Sequence, residues 1–161
     1  MTLNEYNLCI EQHADGIFRF VLKNLGDSEL AKDIVQDTFE KMWVKHPDVN
    51  YLKSKSYLFT TAYHTMIDAI RRRKKTEQIE EAQQIADMRA STSPDLKDVL
   101  DEALEQLPDM QKSVILLRDY EGYNYKEIGD LTGLSESQVK VYIYRARKFL
   151  MNYIGSPESV I

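Results

Sequence analysis

The side chains best suited to chemistry in this chain are basic groups gathered in two short stretches of an otherwise acidic sequence. The chain has 161 residues and a formal net charge of -5, yet residues 135–148 hold four bases and one acid, and residues 71–75 read RRRKK. Lysine and arginine bind phosphate through charge-assisted hydrogen bonds, so the two stretches indicate two separate contacts with a polyanion. The alternatives are a solvated helix face for the first, and helix capping or contact with an acidic membrane surface for the second.

Patterns for catalysis or metal binding are missing from the sequence. His13, His46 and His64 share no metal-ligand spacing, Cys9 is the single cysteine, and no glycine-rich phosphate loop is present. We therefore predict a protein that is not an enzyme and that uses no metal and no cofactor. The lone cysteine, the lack of an apolar run approaching ~20 residues, and an N-terminus unlike a signal peptide predict a cytoplasmic protein without membrane insertion.

Composition and periodicity predict that helices position these groups. Apolar residues make up 43% of the chain, glycine (6) and proline (4) are scarce, and β-branched residues never alternate with polar ones for long. We predict a first helix over about residues 4–25, with a break near 13–16, and a second helix capped by Ser28. The apolar stripe of the second helix comprises Ala31, Ile34, Val35, Thr38, Phe39, Met42 and Trp43.

A third helix is predicted after a loop over 47–55, with Ser56 as its cap and the RRRKK run at its end. Its apolar positions wrap much of the helix surface, so it should be heavily buried. Tyr57, Tyr63 and His64 should lie near the rim of the buried face.

Aromatic residues stand close to lysines at the start of this third helix. Tyr51 lies in the loop and Tyr57 in the first helical turn, and Lys53 and Lys55 lie between them. Exposed rings beside lysines suit stacking with unpaired bases. Packing in the core is the alternative, and we favour it for Tyr63, Tyr120 and Phe59.

Charge and composition divide the chain into two parts. Residues 1–75 carry 12 bases and 10 acids, a balance of +2, whereas residues 76–161 carry 9 bases and 16 acids, a balance of -7. The stretch 76–93 has four acids, one base and few large apolar residues, which is typical of a linker. We therefore predict an all-α protein with two small helical domains, residues 1–75 and 94–155, joined by this linker.

The second domain ends in two helices with the layout of a helix-turn-helix. Residues 124–127 and 135–138 form capping boxes, and Gly133 lies in the turn between the helices. The start of the longer helix can enter a DNA major groove while the basic groups behind it hold the backbone, although an ordinary two-helix corner is the alternative. The candidate contact residues are Glu136, Ser137, Lys140, Tyr144, Arg145, Arg147 and Lys148.

Three segments, in this order, resemble the extracytoplasmic-function (ECF) class of bacterial RNA polymerase sigma factors, the small two-domain class of the sigma-70 family. ELAKDIVQDTFEKMW (29–43) is similar to the family's polymerase-binding helix. SYLFTTAYHTMIDAIRRRKK (56–75) is similar to the helix that reads and melts the −10 promoter element. LEQLPDMQKSVILLRDYEGYNYKEIGDLTGLSESQVKVYIYRAR (104–147) is similar to the domain that binds the −35 element. The likeness spans roughly residues 5–153.

The sequence departs from the common pattern at a few positions. The family has tryptophan where this chain has Tyr57, and often arginine and asparagine where it has Tyr63 and His64. It usually has Ser-Arg where this chain has Val141-Tyr142. These departures concern individual promoter contacts rather than the helices that carry them.

The resemblance implies a protein that binds core RNA polymerase, at its β′ clamp and β flap, and carries it to a subset of promoters. Promoter DNA is the second partner that it implies, and an anti-sigma factor is a further one. It implies polymerase contacts at Asp33, Gln36, Asp37 and Glu40. It implies −10 contacts at Asn50, Tyr51, Lys53, Lys55, Tyr57, His64, Arg71, Arg72 and Arg73, and −35 contacts at the seven residues named for the last helix.

Two mechanistic expectations follow from the resemblance. The loop at 50–56 captures a base extruded from the −10 element, and nearby basic groups compensate the cost of flipping that base. The acidic body weakens non-specific DNA binding until polymerase supplies further contacts.

Other interpretations of the sequence predict different behaviour. A stand-alone helix-turn-helix regulator, with residues 1–90 as a sensor or dimerisation domain, would bind promoters without polymerase. A helical adaptor leaves both basic stretches unexplained, and an enzyme lacks a candidate active site. Association with core polymerase separates the sigma-factor interpretation from all three.

Overall fold

The computed structural model describes residues 1–80 and 96–155, and within them it contains helices and no strand, which confirms the all-α prediction. Seven α-helices follow one another in the described part of the chain, with two short 3₁₀ turns, His46–Asp48 and Tyr51–Lys53, between α2 and α3. A single π-helical turn, Leu116–Tyr120, extends α5. The helices are α1 (Leu3–Leu25), α2 (Ser28–Lys45), α3 (Ser54–Glu80), α4 (Leu96–Gln106), α5 (Asp109–Ile115), α6 (Tyr125–Thr132) and α7 (Glu136–Ile154).

Helix α1 is continuous, so the predicted break near residues 13–16 was wrong. It begins with a capping box between Thr2 and Glu5 and ends at Gly26, which adopts the left-handed conformation at φ 70°. Gly16 lowers the local helix propensity, but the buried Ile17 and Phe20 hold this turn against the rest of the core. Tertiary packing therefore overrides the local signal.

Helix α2 begins at Ser28, one residue earlier than predicted, because Asp27 rather than Ser28 is the N-cap and accepts a hydrogen bond from the Leu30 amide at 3.1 Å. The predicted apolar stripe is buried at Ala31, Ile34, Thr38, Phe39 and Met42. Two members of the stripe differ from the prediction, since Val35 is only half-buried and Trp43 is 45% exposed.

Helix α3 begins at Ser54 rather than at Ser56 and continues to Glu80. Tyr63 is 3% exposed and Phe59 is 1% exposed, which confirms the core packing favoured for both rings and places Tyr63 deeper than the rim of the buried face. The division of the chain into 1–75, 76–93 and 94–155 stays a prediction. The cap expected at Ser93-Pro94 lies outside the described residues.

The C-terminal helices follow the sequence pattern closely. Val99, Ala103, Leu104 and Leu107 form the buried side of α4 and the turn after it. Both predicted capping boxes, Asn124 with Glu127 and Ser135 with Gln138, are present at the starts of α6 and α7. Tyr120 differs from its expected place in the core, because it is 37% exposed.

Buried residues from both parts of the chain form one continuous core cluster. The first three helices pack on one another and enclose Cys9, Ile17 and Phe20, each at most 1% exposed, while α5 and α6 pack on α7. Between the two parts, α1 contacts α4 and α5, and α3 contacts α6. The sequence had suggested two separate modules and gave no sign of this packing.

Candidate nucleic-acid and polymerase interface

The four residues predicted to contact polymerase lie on one exposed face of α2. Asp33, Gln36, Asp37 and Glu40 are all exposed, and their spacing of three, one and three residues places them on the same side of the helix. The Gln36 side-chain amide donates a hydrogen bond to the Glu40 carboxylate at 3.3 Å. This face therefore presents three carboxylates, which can bind a basic partner surface.

The end of this acidic face carries two exposed apolar side chains, Val44 and Trp43, and the sequence pattern had placed Trp43 in the core. Val44 is 78% exposed. The Trp43 ring stacks on the His46 ring with centroids 4.5 Å apart and meets the Tyr6 ring edge-on at 5.0 Å. Tyr6 is fixed in turn, because its hydroxyl donates to the Phe39 carbonyl at 2.9 Å. An apolar rim of this kind suits a protein partner better than a nucleic acid.

Three of the predicted −10 residues surround one surface pocket of about 600 Å³ between α2 and α3. Asn50, Lys53 and Tyr57 line it, together with Lys45 and Asp48, which sequence reasoning missed. The Asn50 side chain also shapes the loop, because its oxygen accepts a hydrogen bond from the Leu52 amide at 3.0 Å. A pocket that combines an aromatic ring, a side-chain amide and two lysines has the chemistry to receive a base and the phosphate beside it.

Hydrogen bonds from the N-terminus of the chain hold the segment between α2 and α3 that lines this pocket. The N-terminal ammonium of Met1 donates to the His46 carbonyl at 2.7 Å and to the Val49 carbonyl at 2.9 Å. Tyr51, another predicted contact, donates from its hydroxyl to the Gln12 side chain at 3.3 Å and does not line the pocket. No local sequence signal indicates the contribution of Met1, because it joins residues more than forty positions apart.

Along α3 the remaining −10 candidates separate onto different sides. Tyr57, His64 and Arg71 recur every seven residues, so they share one side of the helix, and both His64 and Arg71 are exposed. Arg72 is exposed about 100° further around the helix. Arg73 instead lines a cleft of about 640 Å³ between the two parts of the chain. The RRRKK run therefore does not act as a single basic surface.

Lys55 also points away from the pocket. Its ammonium lies 5.4 Å from the centroid of the Tyr123 ring and 6.0 Å from that of Phe59. This ammonium also lowers the pKa of His13, although burial of the imidazole is the larger cause. Lys55 thus makes contacts with the C-terminal part of the chain.

The seven −35 candidates are all exposed on α7. Lys140, Tyr144, Arg147 and Lys148 line one shallow pocket of about 500 Å³, whereas Glu136, Ser137 and Arg145 do not. Lys140 lies 5.7 Å from the Tyr125 ring centroid, and the Arg118 guanidinium lies 4.8 Å from the same centroid. The pocket combines cations with an aromatic and apolar floor, which suits contact with a phosphate backbone and base edges.

One of these cations has a protein partner. The Arg147 guanidinium donates to both oxygens of Asp119, at 2.5 Å and 3.2 Å. This pair raises the pKa of Arg147, chiefly through the hydrogen bond. Arg147 is thereby held in one orientation on the exposed side of α7.

The turn between α6 and α7 depends on glycines. Gly133 ends α6 in the left-handed conformation at φ 83°. At Gly129, a Cβ atom would come within 2.8 Å of the Leu134 carbonyl oxygen, so only glycine lets the turn pack against α6. Sequence reasoning recognised Gly133 and missed Gly129, although a glycine inside a predicted helix is a signal of close approach.

Comparison with known proteins agrees with this geometry. Residues 9–76 match the family model "Sigma-70 region 2", and residues 97–150 match "Sigma-70, region 4". The ECF RNA polymerase sigma factor SigM of Bacillus subtilis is 28% identical over 155 residues, covering 93% of each chain. The RNA polymerase sigma factor SigV of the same organism is 30% identical over 148 residues, covering 88% of this chain and 86% of SigV.

The fold also has a solved counterpart. The sigma factor RpoE of Bartonella quintana, crystallised with the anti-sigma factor NepR, superposes with a TM-score of 0.80 at 22% identity, covering 96% of this chain and 99% of that one. The class defined by the fold and the surfaces is therefore a helical transcription factor with a helix-turn-helix at its C-terminal end. The chain belongs to the ECF class of the sigma-70 family of RNA polymerase sigma factors.

Membership of this family decides between the interpretations left open by the sequence. A stand-alone regulator would carry a sensor or dimerisation domain before its helix-turn-helix, whereas residues 9–76 match sigma-70 region 2. Sigma factors are regulatory proteins that bind core RNA polymerase and promoter DNA. Within residues 1–80 and 96–155, no cluster of three potential metal ligands occurs and no helix is long and apolar enough to cross a membrane.

Proposed function

We propose that this sigma factor binds core RNA polymerase through the acidic face of α2 and reads promoters with α3 and α7. The observation that carries the proposal is the pair of sigma-70 matches in the family's order, residues 9–76 and then 97–150. The exposed carboxylates of α2 and the exposed cations of α7 stand on those two matched segments. Each surface therefore has the charge that its proposed partner requires.

At the −10 element, the pocket lined by Asn50, Lys53 and Tyr57 receives an extruded base. The amide of Asn50 can hydrogen-bond to the base edge, and the Tyr57 ring offers a stacking surface. His64, Arg71 and Arg72 continue along α3 as contacts to the separated strand.

At the −35 element, α7 enters the major groove with its N-terminal end. Glu136 and Ser137 can hydrogen-bond to base edges, and Lys140 and Lys148 bind the flanking phosphates. Arg145 lies on a different side of α7 from Tyr144, so the two residues contact different parts of the duplex.

An anti-sigma factor is a further proposed partner. The solved RpoE of Bartonella quintana was crystallised with one, and this chain shares its fold. Co-purification of this chain with a partner that abolishes its association with polymerase would support the proposal.

Charge reversal on α2 tests the proposed polymerase contact. We expect the double substitution Asp33→Lys, Asp37→Lys to weaken association with core RNA polymerase at least about tenfold, because like charges then face each other across the interface. Transcription from a promoter library with core polymerase should fall in parallel.

The matched control is Glu11→Lys, Asp15→Lys on α1. These two carboxylates are exposed and four residues apart, like the first pair, so the change in net charge is the same. The control should associate like the unmodified chain. Equal association of both double variants would refute the role of α2.

A further inference from the structure

Helix α2 carries two lysines that lie outside its acidic face. Lys41 and Lys45 are exposed and four residues apart, so they lie about 6 Å apart along the same side of the helix. This side is turned toward α3, because the Lys41 ammonium donates to the Thr65 hydroxyl at 2.9 Å. The two lysines therefore border the groove between α2 and α3, and neither is among the residues that the sequence predicted to bind DNA.

The groove continues from the pocket at the −10 residues. Lys45 lines that pocket together with Tyr57, at the start of α3. Lys41 lies one helical turn further from the pocket, and its partner Thr65 lies about two turns beyond Tyr57 on α3. The two helices therefore run antiparallel here, and the groove leads from the pocket past Lys41 toward His64, which is exposed next to Thr65.

The hydrogen bond of Lys41 leaves its charge uncompensated. Asp37 precedes Lys41 by four residues on α2, which is a favourable spacing for an ion pair. The Lys41 ammonium instead binds a neutral hydroxyl, and in the part of the chain that the structure describes neither Lys41 nor Lys45 forms an ion pair. The remaining lysine of α2, Lys32, is paired with Glu29 at 3.4 Å. Two unpaired cations of α2 therefore border the groove.

The same hydrogen bond fixes the position of the Lys41 ammonium. Thr65 is 5% exposed, and its hydroxyl donates to the Thr61 carbonyl at 2.7 Å, so its oxygen lone pairs are left for Lys41. An ammonium has three N–H donors, and Thr65 takes one of them. The other two can bind a phosphate with little further loss of side-chain entropy, because the lysine is already ordered.

The charge and the width of the groove suit a single nucleic-acid strand. The cations along it are Lys41, Lys45, Lys53 and Arg71. Of the two carboxylates near them, Asp68 lies 3.9 Å from Arg71 and Asp48 lines the pocket. The cations outnumber these carboxylates, so the groove attracts a polyanion. A groove between helices packed at about 8–10 Å is too narrow for a duplex but can follow one strand.

We propose that the strand separated at the −10 element runs along the groove between α2 and α3, where Lys41 and Lys45 bind its phosphates from the α2 side. The flipped base enters the pocket and the strand beyond it follows the groove, so α3 reads bases while α2 holds the backbone. Helix α2 thus contacts both partners, polymerase through its acidic face and DNA through its basic flank. This inference rests on the proposed function and adds two residues to it.

Binding of the holoenzyme to a pre-melted promoter tests the two lysines. A promoter selected from a library by the parent holoenzyme is prepared with a mismatched −10 segment, so that binding requires no melting. We expect Lys41→Gln, Lys45→Gln to bind this DNA about tenfold more weakly than the parent. The slope of log affinity against log salt concentration should fall by about 1.4, at about 0.7 for each phosphate contact on a single strand.

Lys32→Gln is the matched control on the same helix. Lys32 precedes Lys41 by nine residues, which places it on the opposite side of α2, and its ammonium is paired with Glu29. Its affinity and slope should equal those of the parent. An unchanged slope in the double variant would overturn the proposal, as would an equal fall of the slope in Lys32→Gln.

Thr65→Val separates DNA binding from a purely structural role of Lys41. This change removes the hydroxyl that ties α2 to α3 but keeps both lysine charges. The salt slope should therefore stay at the parent value, and Lys41→Arg should also keep it. If Thr65→Val lowered the slope as much as Lys41→Gln, Lys41 would act only as a tie between the helices and the proposal would be wrong.

Photocrosslinking locates the strand. Cys9 is completely buried, so brief treatment with azidophenacyl bromide labels the introduced cysteine of Lys41→Cys or Lys32→Cys. In the holoenzyme, the label at position 41 should crosslink to one DNA strand within the mismatched −10 segment, and the label at position 32 should give no crosslink to DNA. Crosslinks from position 41 only to the flanking duplex, or none, would contradict the proposed path.

The outcomes separate this inference from the proposed function. Failure of the proposed function abolishes association of the parent with core polymerase or transcription by the parent holoenzyme. Failure of this inference leaves both intact and gives the double lysine variant the affinity and slope of the parent. Association with core polymerase should be unchanged in every lysine variant, because the acidic face of α2 is not altered.

Discussion

Single residues in this chain carry structural roles that their types alone do not reveal. Asn24 has an ordinary polar side chain at the end of an amphipathic helix, yet it is buried and bonds to groups on α5. Gly129 occupies the interior of α6, where glycine normally weakens a helix, because the Leu134 carbonyl passes too close for a Cβ atom.

Replacement of Gly129 by alanine should destabilise the helix-turn-helix. The added methyl group meets backbone rather than a movable side chain, so we expect a loss of about 1–3 kcal/mol in the free energy of unfolding. Gly16→Ala is the matched control, since its nearest neighbours are side-chain atoms at 3.6 and 3.8 Å and alanine favours the helix by about 0.5–1 kcal/mol. Urea denaturation measures the free energy of unfolding of both variants. Equal changes in that free energy for Gly129→Ala and Gly16→Ala would refute the steric argument at Gly129.

His13 gives the N-terminal helices a dependence on pH. Burial, and then the charge of Lys55, hold the pKa of His13 below its ordinary value of 6.5, so the unfolded chain takes up this proton first as the pH falls. The stability associated with neutral His13 is therefore present above pH 6.5 and is lost as the pH falls through 6.5 toward the lower pKa of the folded state. His13→Gln should lose less stability than the parent between pH 7.5 and pH 5.5.

The midpoints of urea denaturation of the parent and of His13→Gln, each at pH 7.5 and pH 5.5, measure this difference in the loss of stability. His64→Gln serves as a control, because that imidazole is exposed. It should keep the pH dependence of the parent, whereas an unchanged dependence in His13→Gln would contradict the assignment.

At the scale of the helices, the sequence predicted most of what is local. The caps of α6 and α7 and the buried stripes of α2 and α4 follow from residue spacing, because capping and amphipathicity act within a few turns of chain. The continuity of α1 and the exposure of Tyr120 and Trp43 could not be predicted in the same way. Each depends on which distant helix packs against that position.

The candidate site residues likewise include some whose position follows from local spacing and others whose position depends on contacts with distant parts of the chain. Spacing alone placed Asp33, Gln36 and Asp37 on one face of α2. It could not show that Lys55 and Arg73 turn toward the C-terminal helices and away from Asn50 and its pocket, because those contacts join residues far apart in sequence.

Helix α7 should bind DNA partly through non-specific charge. Replacement of Lys148 by alanine removes one proposed phosphate contact, so the holoenzyme should bind all promoters of a library more weakly by a similar factor. The slope of log affinity against log salt concentration should fall by about 0.9. Lys32→Ala, on an exposed face of α2, is the control and should leave that slope unchanged. A change in sequence preference without a change in slope would contradict the role given to Lys148.

For the whole molecule, the acidic surplus of the C-terminal part acquires a structural explanation. Sequence reasoning interpreted the net charge of -5 as a means of weakening free DNA binding. The structure gives Glu121, Asp101 and Asp109 a more specific use, since each pairs with a cation of the N-terminal part. Local charge patterns could not show this pairing, because it appears only when the two parts are packed together.

Because Cys9 is completely buried, the rate at which its thiol reacts with a reagent reports how often the N-terminal core opens. The sulfur is fully enclosed in the N-terminal core, and no other thiol competes with it. A thiol reagent can reach it only during an excursion that exposes α1, so the labelling rate counts such excursions directly. The labelling rate of the native cysteine therefore shows, without an engineered label, whether weakening the contacts between the two parts of the chain also destabilises the packing of the first three helices.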